Sequence, residues 1–217
     1  MRRMPDADTL VGAILAGGRS RRYGSPKAFA SVGGVRLIER VIRAVAEAAE
    51  PIVVIANEPE AYAALGFPVR SDALIGTGVL GGIHAALSYA REIGAVGALV
   101  VACDMPFIEP RLLLRLRRLR EDAGGPAGSP DIVAPESSGR RGVEPLCAIY
   151  GRGCIGPIEA AAARGDRRAI AFWPEVRVQR LPLAEVSLYG APERLFMNVN
   201  TPAERAVADA TLGESGR

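Results

Sequence analysis

The stretch TLVGAILAGGRSRRYGSPK (residues 9–27) joins an apolar run to a basic segment rich in glycine, and this junction decides the fold. Its first eight residues, TLVGAILA (9–16), are mostly apolar and lead directly into the glycines, which is typical of a buried strand. In open α/β folds, ligands bind outside the carboxyl ends of such parallel strands. The junction therefore predicts a strand with a ligand-binding loop at its end.

Strand-like and helical patterns alternate along the rest of the chain. Apolar residues recur at helical spacing in VRLIERVIRAVAEAA (35–49), whereas PIVVIAN (51–57) is rich in β-branched residues. Further helices are expected at 59–65, 83–92 and 109–122, and further strands at 67–72, 97–104, 131–136 and 144–150. This order predicts the α/β class: a three-layer αβα fold with a Rossmann-like, mostly parallel sheet.

Length and composition limit the possible organisation and environment. A chain of 217 residues suits one domain over its whole length, with flexible ends at 1–8 and 211–217. The net charge of +3 suits an acidic ligand, and we expect neither nucleic acid nor a membrane as partner. Cys103, Cys147 and Cys154 form no C-x-x-C pair, which favours a reducing cytoplasm.

The glycine loop has the chemistry of a triphosphate site. Gly17 and Gly18 allow backbone N–H groups to approach an anion closely. Arg22 offers two parallel hydrogen bonds to phosphate oxygens, and Lys27 adds a mobile point charge. The alternative is a surface loop that is merely basic and rich in glycine.

Two well-known phosphate motifs do not match this loop. The P-loop requires Gly-Lys followed by Ser or Thr, but Lys27 follows Gly24 by three residues and precedes Ala28. The dinucleotide pattern G-x-G-x-x-G is absent because the first two glycines are adjacent. A hydride-transfer enzyme is therefore poorly supported.

An acidic residue follows the third strong strand. Asp104 comes after LVVAC and before Met105-Pro106, so a carboxylate is expected at the end of that strand. Such a hard oxygen ligand can hold Mg²⁺ against substrate phosphates. The alternative is an aspartate that caps the following turn.

The motifs together resemble a known family. LAGGRSRRYGSPK (15–27) is similar to the L-A-G-G-x-S-x-R-x-G-x-x-K signature of the molybdenum cofactor guanylyltransferases, which belong to the nucleotidyltransferase superfamily. Matching segments follow in the family's order: VVIAN ending at Asn57, SD at Asp72, GVLGGIHAAL (78–87), VVACDMPF (100–107), EPLCAIY (144–150) and NVNTPAE (198–204).

This resemblance implies a function and a set of site residues. It implies transfer of GMP from GTP to the phosphate of molybdopterin or of the molybdenum cofactor that contains it, with Mg²⁺ as cofactor and release of pyrophosphate. Cofactor-delivery proteins are further partners compatible with it. Arg22, Lys27 and Asp104 are the implied catalytic residues, and Asp104 is the implied metal ligand. The implied binding residues are Leu15, Ala16, Gly17, Gly18, Lys27, Asn57, Asp72, Gly81, Asp104, Asn198 and Asn200.

Several of these residues also have structural interpretations. Asn57 and Asp72 are common in turns for local hydrogen-bonding reasons. Asn198 and Asn200 would share one face of a strand, near the acceptor and metal by the resemblance, but Asn200 or Thr201 also suits the N-cap of a helix that begins at Pro202. Both roles are compatible.

The sequence leaves two interpretations for each of three further polar residues, His84, Arg140 and Arg141. His84 is interpreted as structural, with a ligand contact as the alternative. Arg140 and Arg141 are placed to reach an anionic pterin or to remain solvated.

Three residues depart from the family pattern. Pro26 replaces an aspartate, Val79 replaces a proline, and Glu144 replaces a histidine that is common before Pro-Leu. The last change puts the identity of the acceptor in doubt. Three alternative functions remain: a cytidylyltransferase for the same cofactor, a sugar-phosphate nucleotidyltransferase, and a non-catalytic nucleotide-binding adaptor.

Overall fold

The computed structural model describes residues 8–17, 27–123 and 128–215. The strands in chain order are β1 (Leu10–Leu15), β2 (Ser31–Val32), β3 (Val35–Arg36), β4 (Ile52–Ile55), β5 (Val69–Arg70), β6 (Gly97–Ala102), β7 (Ile132–Pro135), β8 (Cys147–Gly151) and β9 (Val178–Leu181). The α-helices are α1 (Leu37–Ala46), α2 (Val79–Glu92), α3 (Pro110–Asp122), α4 (Ile155–Ala163), α5 (Leu183–Val186), α6 (Pro192–Leu195) and α7 (Pro202–Ser215). None of these described helices is long and apolar enough to cross a membrane.

Seven strands form one sheet in the order β5-β4-β1-β6-β8-β7-β9. β8 runs antiparallel to both of its neighbours, β6 and β7. The remaining neighbouring pairs of this sheet are parallel. The prediction of a mostly parallel sheet in an α/β fold is confirmed.

Helices cover both faces of the sheet because successive side chains of a strand point to opposite sides. On β1, Leu10 and Ile14 enter an apolar cluster that α1 and α3 complete. Val11 and Ala13 enter a second cluster, completed by α2 and α4. β1 is therefore buried on both faces, and the three-layer αβα prediction is confirmed.

The first two helices differ from their predicted bounds. α1 begins two residues later than expected, because Val35 and Arg36 form β3 of a short hairpin. Gly33 and Gly34 have φ angles of 57° and 74°, which the two-residue turn of this hairpin requires. α2 begins at Val79, four residues earlier than the expected start. The two glycines that follow Leu80 are helical and buried, so the helix includes them.

α7 continues to Ser215, whereas a flexible end was expected from residue 211. The Leu212 side chain of this helix packs against a small apolar cluster that contains Val32, Leu37 and Val199. Asp209 Oδ1 also accepts a hydrogen bond of 2.7 Å from the Gly33 N–H. These contacts tie the C-terminal helix to the β2–β3 hairpin.

The three cysteines are buried and form no disulfide. Cys147 and Cys103 pack in the cluster under α1 and α3, and Cys154 packs in the cluster on the other face. Burial raises the pKa of the Cys103 thiol to about 12. These side chains therefore behave as small, apolar core residues.

Candidate active site

The neighbouring parallel strands β5, β4, β1 and β6 end in register at one edge of the sheet. Leu15 pairs with Ile55 and with Ala102, and Ile55 pairs with Arg70. A candidate site residue lies two positions beyond each of these strand ends. In sheet order these residues are Asp72, Asn57, Gly17 and Asp104, and we call them the carboxyl-edge row.

The carboxyl-edge row has the dimensions of an elongated ligand site. Adjacent strands lie about 4.8 Å apart, so the row extends roughly 14 Å from Asp72 to Asp104. Gly17, near its middle, is exposed and carries no side chain. A polar ligand laid along this edge would meet an amide and a carboxylate at one end and a second carboxylate at the other.

Lys27 joins two other candidate residues at the Asp104 end of the row. Its Nζ lies 2.6 Å from Asp104 Oδ2 and 2.6 Å from Asn200 Oδ1. The Lys27 and Asp104 side chains are only 15% and 19% exposed, so little water screens the pair. Residues far apart in the chain are thus assembled around one ammonium group.

The backbone around Asp104 is held from two sides. The Cys103 N–H donates to the Leu15 carbonyl at 3.0 Å, and the Val199 N–H donates to the Asp104 carbonyl at 2.9 Å. Asp104 Oδ1 is buried and has no hydrogen-bond partner among the described residues. The alternative role for Asp104, a cap on the following turn, is therefore not observed among the described residues.

The Asp104 carboxylate fits a divalent cation that is shared with a substrate. Buried polar groups are normally paired, so Oδ1 is an oxygen for which a ligand would be a partner. Among the described residues, no group of three or more His, Cys, Asp or Glu side chains is arranged to hold a metal by itself. Mg²⁺ is often held by one or two carboxylates together with substrate phosphates. The donor set matches that mode of binding.

The two asparagines of NVN lie in different environments. Asn200 reaches Lys27, while Asn198 is exposed and its Nδ2 donates to the Phe196 carbonyl at 3.4 Å. Residues 197–200 do not form a strand, so that prediction is wrong, because the segment pairs with Asp104 by a single backbone hydrogen bond. The burial still alternates, with Val199 inside between two exposed asparagines.

Thr201 and Glu204 cap α7 and leave the Asn200 side chain available. The Glu204 N–H donates to Thr201 Oγ1 at 3.2 Å, and Glu204 Oε2 accepts the N–H groups of Asn200 and Thr201. This is the reciprocal capping box of a T-x-x-E sequence. The Asn200 N–H bond lowers the pKa of the Glu204 carboxyl. The predicted capping role therefore belongs to Thr201, and Asn200 contacts Lys27.

Asn57 and Asp72 meet at the other end of the row. The Asp72 N–H donates to Asn57 Oδ1 at 3.0 Å, and Asn57 Nδ2 donates to Asp72 Oδ2 at 3.4 Å. Burial raises the pKa of the Asp72 carboxyl, although the bond from Asn57 and the nearby His84 lower it. The pair forms a partly buried polar corner where β4 and β5 end.

The absence of a side chain at Gly81 makes room for the segment that carries Asp72. A Cβ atom at Gly81 would lie 2.8 Å from Thr77 Oγ1, 3.0 Å from the Leu74 carbonyl oxygen and 3.1 Å from Asp72 Cγ. The missing side chain therefore admits the 72–77 segment against α2. Gly81 is placed to support Asp72.

Leu15 and Ala16 lead into the predicted phosphate loop. Ala16 is buried, and its carbonyl accepts a hydrogen bond of 2.9 Å from the Tyr62 hydroxyl. Tyr62 also stacks on Phe29, two residues after Lys27, with ring centroids 5.2 Å apart. Tyr62 thus supports both sides of the loop, a role that sequence analysis missed. Gly18, Arg22 and Pro26 lie outside the described residues.

Three further residues named in the sequence analysis, His84, Val79 and Glu144, have defined environments in the structure. His84 is buried in α2, and its Nε2 lies 3.0 Å from Glu159 Oε1 on α4. Val79 occupies the first turn of α2, where proline is also well tolerated. Burial raises the pKa of the Glu144 carboxyl, and the nearby negative charge of Asp104 raises it further. Glu144 therefore adds a second acid close to Asp104.

Comparison with known proteins identifies the family. The sequence model of the MobA-like NTP transferase domain matches residues 12–179. The chain belongs to this family. The MobA-like NTP transferases are nucleotidyltransferases, and the family is consistent with the use of a divalent metal.

Individual relatives match along nearly the whole chain. A probable molybdenum cofactor guanylyltransferase of Pelotomaculum thermopropionicum is 38% identical over 209 residues, covering 95% of each chain. The molybdenum cofactor guanylyltransferase of Desulfosudis oleivorans is 33% identical and covers 97% of this chain and 98% of its own. The crystal structure of molybdopterin-guanine dinucleotide biosynthesis protein A from Archaeoglobus fulgidus has a TM-score of 0.76 and 26% identity, and covers 94% of this chain and all of its own. The MobA-like resemblance predicted from the motifs is confirmed.

Proposed function

We propose that this protein transfers GMP from GTP to the phosphate of molybdopterin and releases pyrophosphate. The observation that carries the proposal is the Lys27 ammonium between Asp104 and Asn200, at the end of the carboxyl-edge row. The names of the similar guanylyltransferases support GTP as donor and molybdopterin as acceptor. A cytoplasmic location and contact with cofactor-delivery proteins stay predictions from the sequence.

The reaction needs no covalent enzyme intermediate. An oxygen of the acceptor phosphate attacks the α-phosphorus of GTP, and the bond from that phosphorus to the bridging oxygen of the β-phosphate breaks. Pyrophosphate leaves with the electron pair of the broken bond. Catalysis then consists of positioning two anions and stabilising the charge that develops between them.

Lys27 and Asp104 have complementary roles in this proposal. The Lys27 ammonium, a compact donor, neutralises negative charge on the phosphates and keeps the Asp104 carboxylate in place. Asp104 would hold Mg²⁺, which, when bound, offsets the charge of the departing pyrophosphate. Asn200 orients the ammonium through its Oδ1 atom. Arg22 is proposed to hold further phosphate oxygens.

The other end of the carboxyl-edge row is proposed to bind the nucleoside. Asn57 and Asp72 supply an amide and a partly buried carboxylate, which suit the hydroxyl and N–H groups of a nucleoside. Leu15 and Ala16 place the backbone of Gly17 between the two ends, and Gly18 continues the loop. Asn198 is proposed to face the acceptor.

Pyrophosphate release tests the choice of nucleotide. With molybdopterin and Mg²⁺, we expect GTP to be used at least about tenfold faster than CTP, ATP or UTP, a difference of about 1.4 kcal/mol. Among the residues that the structure describes, a Cβ at Gly17 would meet nothing closer than the Ile55 carbonyl oxygen at 3.9 Å. Gly17→Ala should therefore keep its melting temperature and lose rate with GTP.

The outcomes of this assay are distinct. Preference for CTP would identify the cytidylyl activity on the same site. No release with any nucleotide would contradict molybdopterin as acceptor, and sugar phosphates would be assayed next. A Gly17→Ala variant as active with GTP as the parent would contradict close approach of the nucleotide to this loop.

A further inference from the structure

The only histidine of the chain is buried between α2 and α4, and the proposed mechanism does not use it. The His84 side chain is 8% exposed, and its Nε2 lies 3.0 Å from Glu159 Oε1 on α4. An ionised carboxylate only accepts hydrogen bonds, so Nε2 is the donor in this contact. The imidazole is therefore held in place from the side of α4.

The other ring nitrogen of His84 indicates a role beyond packing. Nδ1 is buried and has no hydrogen-bond partner among the described residues. Leaving a buried polar atom unpaired costs about 1–3 kcal/mol. An apolar side chain would avoid this cost, because α2 packs its buried leucine and isoleucine residues into an apolar cluster. A role in a functional site is one reason why native proteins keep such an atom.

Asp72 packs against the same side of α2 as His84. A Cβ at Gly81 would lie 3.1 Å from Asp72 Cγ, so the carboxyl group rests where Gly81 has no side chain. His84 follows Gly81 by three residues, a spacing that makes helical residues neighbours with Cβ atoms roughly 5–6 Å apart. Helical side chains also lean towards the preceding turn. The imidazole is thus placed beside the Asp72 carboxyl group.

The electrostatics of Asp72 agree with this placement. Burial raises the pKa of the Asp72 carboxyl, whereas the hydrogen bond from Asn57 and the charge of His84 oppose that rise. His84 therefore favours the charged form of this carboxylate. Groups from three elements follow one another here: Glu159 on α4, His84 on α2, and Asp72 after β5.

We propose that His84 is a positioning residue for the nucleotide: held by Glu159, its imidazole fixes the Asp72 carboxylate for contact with the nucleoside of GTP. This inference rests on the proposed function, because that function assigns Asp72 to the nucleoside. Asp104 lies at the opposite end of the carboxyl-edge row, roughly 14 Å away. Loss of His84 should therefore weaken nucleotide binding and leave the transfer step at Asp104 nearly unchanged.

A double-mutant cycle tests whether His84 acts through Asp72. Binding of GTP with Mg²⁺, measured by titration calorimetry without acceptor, is compared for His84→Gln, Asp72→Asn and the double variant. Glutamine keeps an N–H donor for Glu159 but loses the imidazole. We expect His84→Gln to raise the Kd for GTP about fivefold in the parent and less than about twofold in Asp72→Asn. A histidine that only joins two helices would have equal effects in both backgrounds.

Glu159→Gln tests the same link from the surface of the protein. The Glu159 side chain is 52% exposed, so this variant should fold even if His84→Gln does not. We expect its Kd for GTP to rise about threefold, while kcat stays within about twofold of the parent. Glu175→Gln is the matched control, because Glu175 is 42% exposed and pairs with Arg164 at 2.7 Å. It should leave the Kd unchanged.

The results separate this inference from the proposed function. Equal effects of His84→Gln in the two backgrounds would overturn the role of His84 and leave the proposed function standing. Glu159→Gln with the parent Kd, or with the same Kd as Glu175→Gln, would do so as well. If the parent protein does not bind GTP, the proposed function fails, and the role of His84 fails with it.

Discussion

Replacing Asp104 with asparagine is expected to lower kcat about 10³-fold, at the upper end of the effects seen when one group that stabilises transition-state charge is removed. Asparagine has the same shape but carries no negative charge. It therefore loses the ion pair of 2.6 Å with Lys27 and offers a poor ligand to Mg²⁺. Pyrophosphate release at saturating GTP and molybdopterin gives the rate, and thermal unfolding shows that the fold is kept.

Asp122→Asn is the matched control for this substitution. Asp122 lies at the end of α3, its side chain is 75% exposed, and its ion pair with Arg115 is long, at 3.8 Å. We expect this variant to keep its full rate. An Asp104→Asn protein within about twofold of the parent rate would contradict a catalytic carboxylate and favour a nucleotide-binding adaptor.

Substitution of Lys27 should have the second largest effect, about 10²-fold or more in kcat/KM for GTP. Of the 27 lysines and arginines in the chain, Lys27 is the only lysine. Its Nζ has two oxygens at 2.6 Å, which a compact ammonium satisfies and a broad, planar guanidinium does not. We therefore expect Lys27→Arg to be nearly as inactive as Lys27→Met, although it keeps the positive charge.

The unique lysine also permits a chemical test of the same residue. Reductive methylation modifies lysine side chains and the N-terminal amine, so Lys27 is the only side chain that can be modified. GTP with Mg²⁺ should slow this modification, as measured by mass spectrometry of peptides. Full activity of Lys27→Arg, or no protection by GTP, would contradict the role of the ammonium. Arg167→Met controls for the loss of a positive charge elsewhere.

Part of the site was predictable because it depends on strand ends. Ile55 and Ala102 end apolar strands, and the polar residues two positions beyond them, Asn57 and Asp104, fall at the same edge of a parallel sheet. Lys27 and Asn200 were recognisable from motifs, but their contact with one carboxylate depends on the fold. The antiparallel direction of β8 was not predictable, because an apolar run such as EPLCAIY carries no information on strand direction.

Supporting residues were harder to find than the residues they support. Tyr62 is 46 positions from Ala16 in the chain, and only the packing of the 3₁₀ helix Pro59–Leu65 brings its hydroxyl to that carbonyl. The capping role of Glu204 did have a sequence signal, the T-x-x-E spacing from Thr201.

The fate of the α-phosphate tests the central claim most directly. GTP labelled at its α-phosphate is incubated with the protein, Mg²⁺ and molybdopterin, and the products are separated. We predict that the label appears in a dinucleotide that contains the pterin, in equal amount to the pyrophosphate released. Label that remains in free GMP or GDP, with none in a pterin product, would contradict nucleotidyl transfer to molybdopterin.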